Sequence, residues 1–419
     1  MRTQLLTWGS AALILVIAPW LFPQSFALTL LTQMCSFSIT ALSYNMLLGQ
    51  GGMLSFGHAV YAGLGAYATV HVLNAVGKGL FFIPVTLLPL VGGVAGIVFG
   101  VIFGYVTTKR AGTTFAMISL GIGELVFACV LMFPAIFGGE AGISTNRVVG
   151  KPFLGITYGP QIQVYYLVAA WFFIAMIAMY ALTQTPLGRM ANAVRDNPER
   201  AEFVGYDTQK VRFLQLVLSA FFAGLSGALS CINFEIVTAE NVSTMRSGAV
   251  LLATFIGGIP FFFGPVIGAC IFILFVAAIS GVTKAWLLYL GLFFVIMVLY
   301  APGGIASIVV TQLRIIRAGQ LGRLAGPYGL AAAAAVVAFV GLVAIVEGIY
   351  HLSDTTLMSR MTLGGFEFDA HSDIYWATAV FALAAGLFVL RYASRIFETR
   401  WDSVQQELKA ASLTASLTA

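Results

Sequence analysis

Apolar residues in this chain neither alternate nor recur at helical spacing; they run on. Stretches near 5–22, 26–48, 57–76, 81–107, 112–136, 163–183, 213–233, 246–260, 264–281, 285–300, 327–349 and 374–391 carry almost no charge. A helix rises 1.5 Å per residue, so about 20 such residues cross the roughly 30 Å hydrocarbon core of a bilayer. The pattern predicts an all-α polytopic membrane protein with about twelve spans. The short eighth stretch shares glycines with the ninth, so that pair also reads as one bent hairpin. Leu5 to Phe22, with Arg2 ahead of it, starts like a secretion signal. It has no small-residue cleavage site and runs into Pro19 and Pro23, so it is expected to stay as a span.

Composition agrees with that pattern. The 419 residues are 60% hydrophobic and 9% charged, with mean hydropathy +0.96, against about 25% charged for a soluble domain. The net charge of +5 reports orientation rather than a nucleic-acid partner. With the N-terminus inside, 15 of the 21 lysines and arginines fall in inner segments, and Lys78, Arg147, Lys151, Arg246, Lys284 and Arg360 in outer ones. The positive-inside rule then places both termini in the cytoplasm. Cys35, Cys129, Cys231 and Cys270 all sit in apolar stretches and read as small packing residues.

The organisation expected is a first span over 1–25, a core over 26–305 with a charged cytoplasmic loop at 184–212, a linker at 306–326, and an extra hairpin with a tail over 327–419. No GxxxxGK[ST] phosphate loop, HExxH, GxSxG or cysteine–histidine cluster occurs, so neither a nucleotide site of that type nor a catalytic or metal constellation is expected on this chain.

Four segments carry chemistry. Gly49, Gly51, Gly52, Gly57, Gly63 and Gly65 crowd the end of the second span and the start of the third. Helix-interior glycine costs about 1 kcal/mol relative to alanine, so the cluster marks a helix break or a close crossing, with Ser55 and His58 beside it. His58 reads either as a packing histidine or as a pathway residue. Glu124 is the one acid expected deep in a span, and a carboxylate near the bilayer centre costs roughly 2.5–3.5 kcal/mol on insertion scales. It too reads as structural or as facing a path. Gly257, Gly258, Pro260, Gly264, Pro265 and Gly268 predict a broken helix or hairpin. In 184–212, Leu187, Met190, Ala191 and Val194 share one helical face. Asp196-Asn197-Pro198 then forms a turn and a new helix start, and Gly205 ends that helix. This helix–turn–helix is expected to dock on a cytoplasmic partner.

Taken together, "LSYNMLLGQGGMLSFGHAVYAGLGAYATV", "GTTFAMISLGIGEL", "FGGEAGIS", "TPLGRMANAVRDNPERAEFVGYD" and "GPVIGA" resemble the LivM/LivH-type permeases. These are membrane subunits of bacterial ABC importers for branched-chain amino acids, with relatives for urea and short amides. The likeness runs from about residue 26 to 305, and "GHAVYAGLGAY" leans towards LivM. The resemblance implies an ABC importer permease fold of about ten spans, to which the C-terminal two-helix hairpin is an addition. It implies an inner-membrane location, a LivH-like sister permease, a periplasmic binding protein, and two cytoplasmic ATPase subunits that hold ATP and magnesium. Asn45, Ser55, His58, Tyr61 and Glu124 are then expected along the substrate pathway. Arg189, Arg195, Asp196, Asn197, Pro198, Glu199, Ala201 and Gly205 are expected in the ATPase-coupling element, with Arg195 and Glu199 as charged contacts and Ala201 and Gly205 allowing close approach. Two other readings stay open: a urea or short-amide permease, and an ion-coupled secondary transporter using Glu124 and His58.

Overall fold

The computed structural model of the protein describes residues 2–80, 82–149, 155–317, 321–353, 360–363, 366–369 and 371–417; Lys151 of the charge tally lies outside them. The chain divides into two compact units, Met1–Ala277 with Phe294–Ser307, and Ala278–Phe293 with Ile308–Ala419.

The first unit begins with α1 (Arg2–Leu21) and α2 (Ser25–Asn45), followed by a π-helical turn at Met46–Gln50 and α3 (Ala59–Gly77). Next come α4 (Leu88–Thr107), α5 (Gly112–Met132), the short α6 (Pro134–Phe137) and α7 (Gln161–Gln184). On the expected cytoplasmic side lie α8 (Pro186–Asp196) and α9 (Pro198–Phe203), and α10 (Thr208–Phe234) returns through the middle of the unit. A 3-10 turn at Ala239–Val242 leads into α11 (Thr244–Gly257) and α12 (Gly264–Ser280). The helices α13 (Trp286–Tyr300) and α14 (Gly304–Arg317), which meet at a 51° bend, are each divided between the two units.

The packing centre is α10, with α2, α3 and α4 against it. On α4, Gly92, Gly96, Gly100 and Gly104 recur every fourth residue and are buried. A Cβ on Gly96 would strike the carbonyl of Ala220, and one on Gly92 the carbonyl of Gly224. Lipid tails are as apolar as leucine, so spans associate through close backbone packing and hydrogen bonds rather than through the hydrophobic effect. Those hydrogen bonds run from α10 to α2: the hydroxyl of Ser219 donates to the Ser43 carbonyl at 2.7 Å, and that of Ser226 to the Ser36 carbonyl at 2.5 Å. At the expected outer end, Ile143–Ser144 (β1) pairs antiparallel with Ile236–Val237 (β2). Arg147 locks this corner, its backbone N–H donating to the Glu235 carboxylate at 2.8 Å and its guanidinium to the Tyr158 carbonyl at 2.9 Å.

Each of the twelve stretches expected from hydropathy coincides with a helix. Among the described residues, eight are long and apolar enough to cross a membrane, or nine with α13 and α14 taken together. The other three are shorter: Thr7–Leu21 of α1, α11 and α12. The 14 residues of α11 reach about 21 Å, so it spans only part of a bilayer. The break between α11 and α12 is a hairpin: Gly258 has φ +111°, and Gly257 and Gly268 leave no room for a Cβ against Gly264 and Ala253.

The segment expected as a linker, 306–326, is instead largely helical, because α14 continues to Arg317 and a helix resumes at Leu321; residues 318–320 lie outside the described residues. In the second unit that helix is α15 (Leu321–Ser353), which packs along α16 (Asp373–Leu417) after an antiparallel pair, β3 (Arg360–Leu363) and β4 (Phe366–Asp369). Glu347 of α15 is a second acid within a span. It accepts hydrogen bonds from Thr283 (2.5 Å) and Tyr289 (3.1 Å).

The close α4–α10 contact predicts that Gly224→Leu lowers the apparent unfolding temperature of the detergent-solubilised protein, since overpacking costs about 1–3 kcal/mol or more. Gly121→Leu, on an exposed face of α5 with nothing within 4 Å, leaves it unchanged. Equal melting of the two variants in a fluorescence-detected thermal scan contradicts this account of the packing.

Candidate functional site

The glycine cluster produces the helix break expected from it. After α2 the backbone widens into the π turn, and residues 53–57 follow without helix before α3 starts. Gly52 has φ +65°, and a Cβ there would press on the Arg195 side chain at 2.7 Å. A break at membrane depth needs partners from elsewhere in the protein. Gln215 of α10 donates to the Met46 carbonyl at 2.8 Å, and Arg195 of α8 donates to the Gly49 carbonyl. Ser119 of α5 accepts from the Phe56 N–H at 3.1 Å, and Ser247 of α11 from the Ala59 N–H at 3.0 Å. At Gly57 the backbones touch, for a Cβ would collide with the Ser119 carbonyl.

His58 sits inside this arrangement with 1% of its surface exposed. The Ser43 hydroxyl donates to the Thr40 carbonyl at 2.7 Å, so it accepts from His58 Nε2 at 2.9 Å. In the neutral ring the proton therefore lies on Nε2, and Nδ1 is a bare acceptor. Nδ1 has no hydrogen-bond partner, and neither does Asn45 Oδ1 or the Tyr44 hydroxyl. The rings of Tyr44 and Tyr61 stand edge-on to His58, at centroid distances of 5.2 and 5.9 Å. Asn45, Ser55, His58 and Tyr61 are all brought to the break, and all are buried. Among the described residues, the open space nearby lies beyond Ala59, in a cavity of about 30 Å³ between α2, α3, α10 and α11.

Glu124 does not join that group. It is exposed on α5, and its carboxylate accepts a hydrogen bond from Thr244 at the start of α11.

The charged loop folds as the expected pair of helices. Thr185, Asn197 and Asp207 cap α8, α9 and α10, accepting from the N–H groups of Gly188 (3.3 Å), Arg200 (2.9 Å) and Lys210 (3.0 Å). Pro198 occupies the first turn of α9. The Lys210 N–H bond holds the Asp207 carboxyl below the usual carboxylate range, so this cap persists at neutral pH and is lost only as acid protonates it. Ala191, Val194, Ala201 and Val211 form a small core with Leu187 and Met190.

Two expectations change here. Ala201 is 4% exposed, so it packs α9 onto α8 and is not free to meet a partner. Gly205 is exposed with open space around it and φ +91°, so it serves the turn rather than a close approach. The outward apolar residues are Phe203, 90% exposed, and Val204, 70% exposed. Arg189, Asp196, Asn197, Pro198 and Glu199 are exposed as well. Arg195 turns back towards the membrane, pairing with Asp196 at 2.8 Å as well as with Gly49.

The sequence reading missed Arg246, which it counted as an outer-loop charge. It lies in the first turn of α11 and lines the cavity with Thr40, Ser226, Ser230 and Asn241. The available signal was its place at the head of an apolar segment too short to cross a bilayer.

A profile of the family described as branched-chain amino acid transport system / permease component matches residues 26–302. The high-affinity branched-chain amino acid transport system permease protein LivM of Salmonella typhimurium is 25% identical over 331 residues, 74% of this chain and 76% of its own length. LivM of Escherichia coli is 25% identical over 298 residues, 66% of this chain and 69% of its own length. A probable branched-chain amino acid transport permease protein LivH of Methanocaldococcus jannaschii is 24% identical over 226 residues, 52% of this chain and 68% of its own length. No solved structure gives a significant match. With the profile covering most of the core around the break, and with eight or nine helices fit to cross a membrane, this chain is a multi-pass membrane protein that belongs to the family of branched-chain amino acid transport permease components.

Proposed function

We propose that this chain is a permease subunit of an ATP-driven importer of the ABC class, moving branched-chain or similar neutral amino acids delivered by a periplasmic binding protein. In this reading it lies in the inner membrane with both termini cytoplasmic and pairs with a LivH-like sister permease. Two cytoplasmic ATPase subunits supply the drive; ATP and magnesium belong to them, and this chain binds no cofactor.

The observation that carries the proposal is the bond from Arg195 of α8 to the Gly49 carbonyl in the helix break. An ATPase seated on the exposed face of α8 and α9 moves that pair when it closes, and Arg195 passes the displacement to the π turn. Rewinding the turn shifts Asn45 and His58 against each other. His58 Nδ1, Asn45 Oδ1 and the Tyr44 hydroxyl, buried without partners, are the groups such a second arrangement would satisfy, which supports a break with two states. Phe203 and Val204 supply the apolar centre of the docking face, and Arg189 and Glu199 its charged rim.

The general test is uptake of radiolabelled leucine into proteoliposomes holding the assembled complex. ATP-dependent uptake that survives a protonophore is expected; uptake that ignores ATP and collapses with the proton gradient replaces this reading with the ion-coupled one. Arg195→Gln removes a charged hydrogen bond worth about 1.5–3 kcal/mol. It is expected to leave assembly and basal ATP hydrolysis intact while uptake falls about tenfold or more. Wild-type uptake by that variant removes the coupling role. Phe203→Asp is expected to release the ATPases on co-purification, and retention at wild-type yield sinks the docking face. Ala201→Trp overpacks the α8–α9 core and lowers thermal stability.

A further inference from the structure

The cavity between α2, α3, α10 and α11 is lined by three side-chain donors that have no hydrogen-bond partner among the described residues: the guanidinium of Arg246, the amide of Asn241 and the hydroxyl of Ser230. Thr40 and Ser226, also on its wall, are satisfied, since Thr40 donates to Ser226 at 2.6 Å and Ser226 to the Ser36 carbonyl. Among the described residues no acid lines the cavity, and no carboxylate comes within ion-pair distance of Arg246. Glu240, the acid whose charge Arg246 feels, is exposed on the neighbouring turn. The ring of Phe37 lies 5.1 Å from the guanidinium carbon, an arrangement that leaves the N–H edge of the guanidinium free.

The position is also unusual for a cation. Arg246 stands in the first turn of a helix too short to cross a bilayer, on the wall of a cavity that the membrane-spanning α2, α3 and α10 also line. An ionisable residue at such depth marks a ligand or a pathway by default, and a half-length helix adds the positive end of its dipole to the same place. The guanidinium of Arg246 only donates, and Asn241 and Ser230 can each turn a donor into the same space, so an anion satisfies all three at once. The cavity volume of about 30 Å³ holds one small head group rather than a whole ligand.

We infer that Arg246, Asn241 and Ser230 form a binding site for the α-carboxylate of a neutral amino acid in transit. This rests on the importer reading above and narrows it, because urea and neutral amides offer no anion to this cluster. The carboxylate enters the cavity while the side chain stays at its mouth. Small residues are what let the site form. Gly63 admits the Asn241 turn against α3, where a Cβ would press the Asn241 carbonyl at 2.8 Å, and Gly227 brings α10 against the Ala62 carbonyl.

The test uses the complete complex with its binding protein in proteoliposomes, comparing wild type, Arg246→Met and Arg246→Lys. Leucine uptake is expected to fall about tenfold or more in Arg246→Met, as a charged donor to a carboxylate is lost. Arg246→Lys, which keeps the charge without the fork, is expected to be intermediate. Both variants are expected to assemble and to keep ATP hydrolysis stimulated by the loaded binding protein. Leucine uptake by Arg246→Met within about twofold of an active wild type overturns the carboxylate site and leaves the importer reading standing. A wild-type complex that carries urea and no leucine overturns the amino-acid reading and this assignment with it. Should Arg246→Met fail to assemble, the Ser230→Ala, Asn241→Leu double variant decides. A loss of leucine uptake with stimulated hydrolysis retained supports the site, and unchanged uptake removes it.

Discussion

Every backbone N–H and carbonyl at membrane depth must find its partner inside the protein, since hydrocarbon offers none. Where α2 gives way to the π turn and the non-helical residues before α3, that requirement draws in four other elements. Gln215 comes from α10, Arg195 from α8, Ser119 from α5 and Ser247 from α11. The break is thus the node at which these helices meet, and its shape depends on all of them. A plain helix through the same residues would need none of these contacts.

Around this node the unit has two mechanical characters. On one side, α4, α3 and α10 meet backbone to backbone through Gly65, Gly92, Gly96 and Gly224, leaving no space for even a methyl group. Such contacts do not slide gradually, because close-packed interfaces deform poorly. On the other side, the break is held by single hydrogen bonds from side chains and encloses polar atoms without partners. Each unsatisfied buried group costs about 1–3 kcal/mol. Rigid glycine contacts therefore frame a segment whose own bonding is incomplete.

The geometry also joins two regions that lie far apart in sequence. Ser247 caps the first N–H of α3 next to His58, and Arg246, one residue earlier, faces the cavity. Movement of the break relative to α11 therefore bears on the cavity wall. On the cytoplasmic side, Arg195 connects the same break to the exposed α8–α9 pair. In the proposed importer, this is the route from ATPase closure to the substrate.

Hydropathy alone placed the helices, because about 20 uncharged apolar residues have few other stable arrangements. Proline and glycine located the breaks near Gly49 and Gly258, and the apolar face of α8 with the Asn197-Pro198 start of α9 was equally readable. These are local rules, set by backbone sterics and hydrogen bonding within a few residues. Side-chain direction is not local. Only packing decided that Ala201 turns inward while Phe203 turns out, that Arg195 reaches up to Gly49, and that His58 is closed off behind Ser43 and two tyrosines. Arg246 is the clearest case. By sequence it was one charge among outer loops, and the tertiary structure set it against Ser230 and Asn241 because the turn before α11 folds down onto Gly63. Hydropathy averages over a window and reports where the chain can cross; which polar groups meet depends on how separate helices come together.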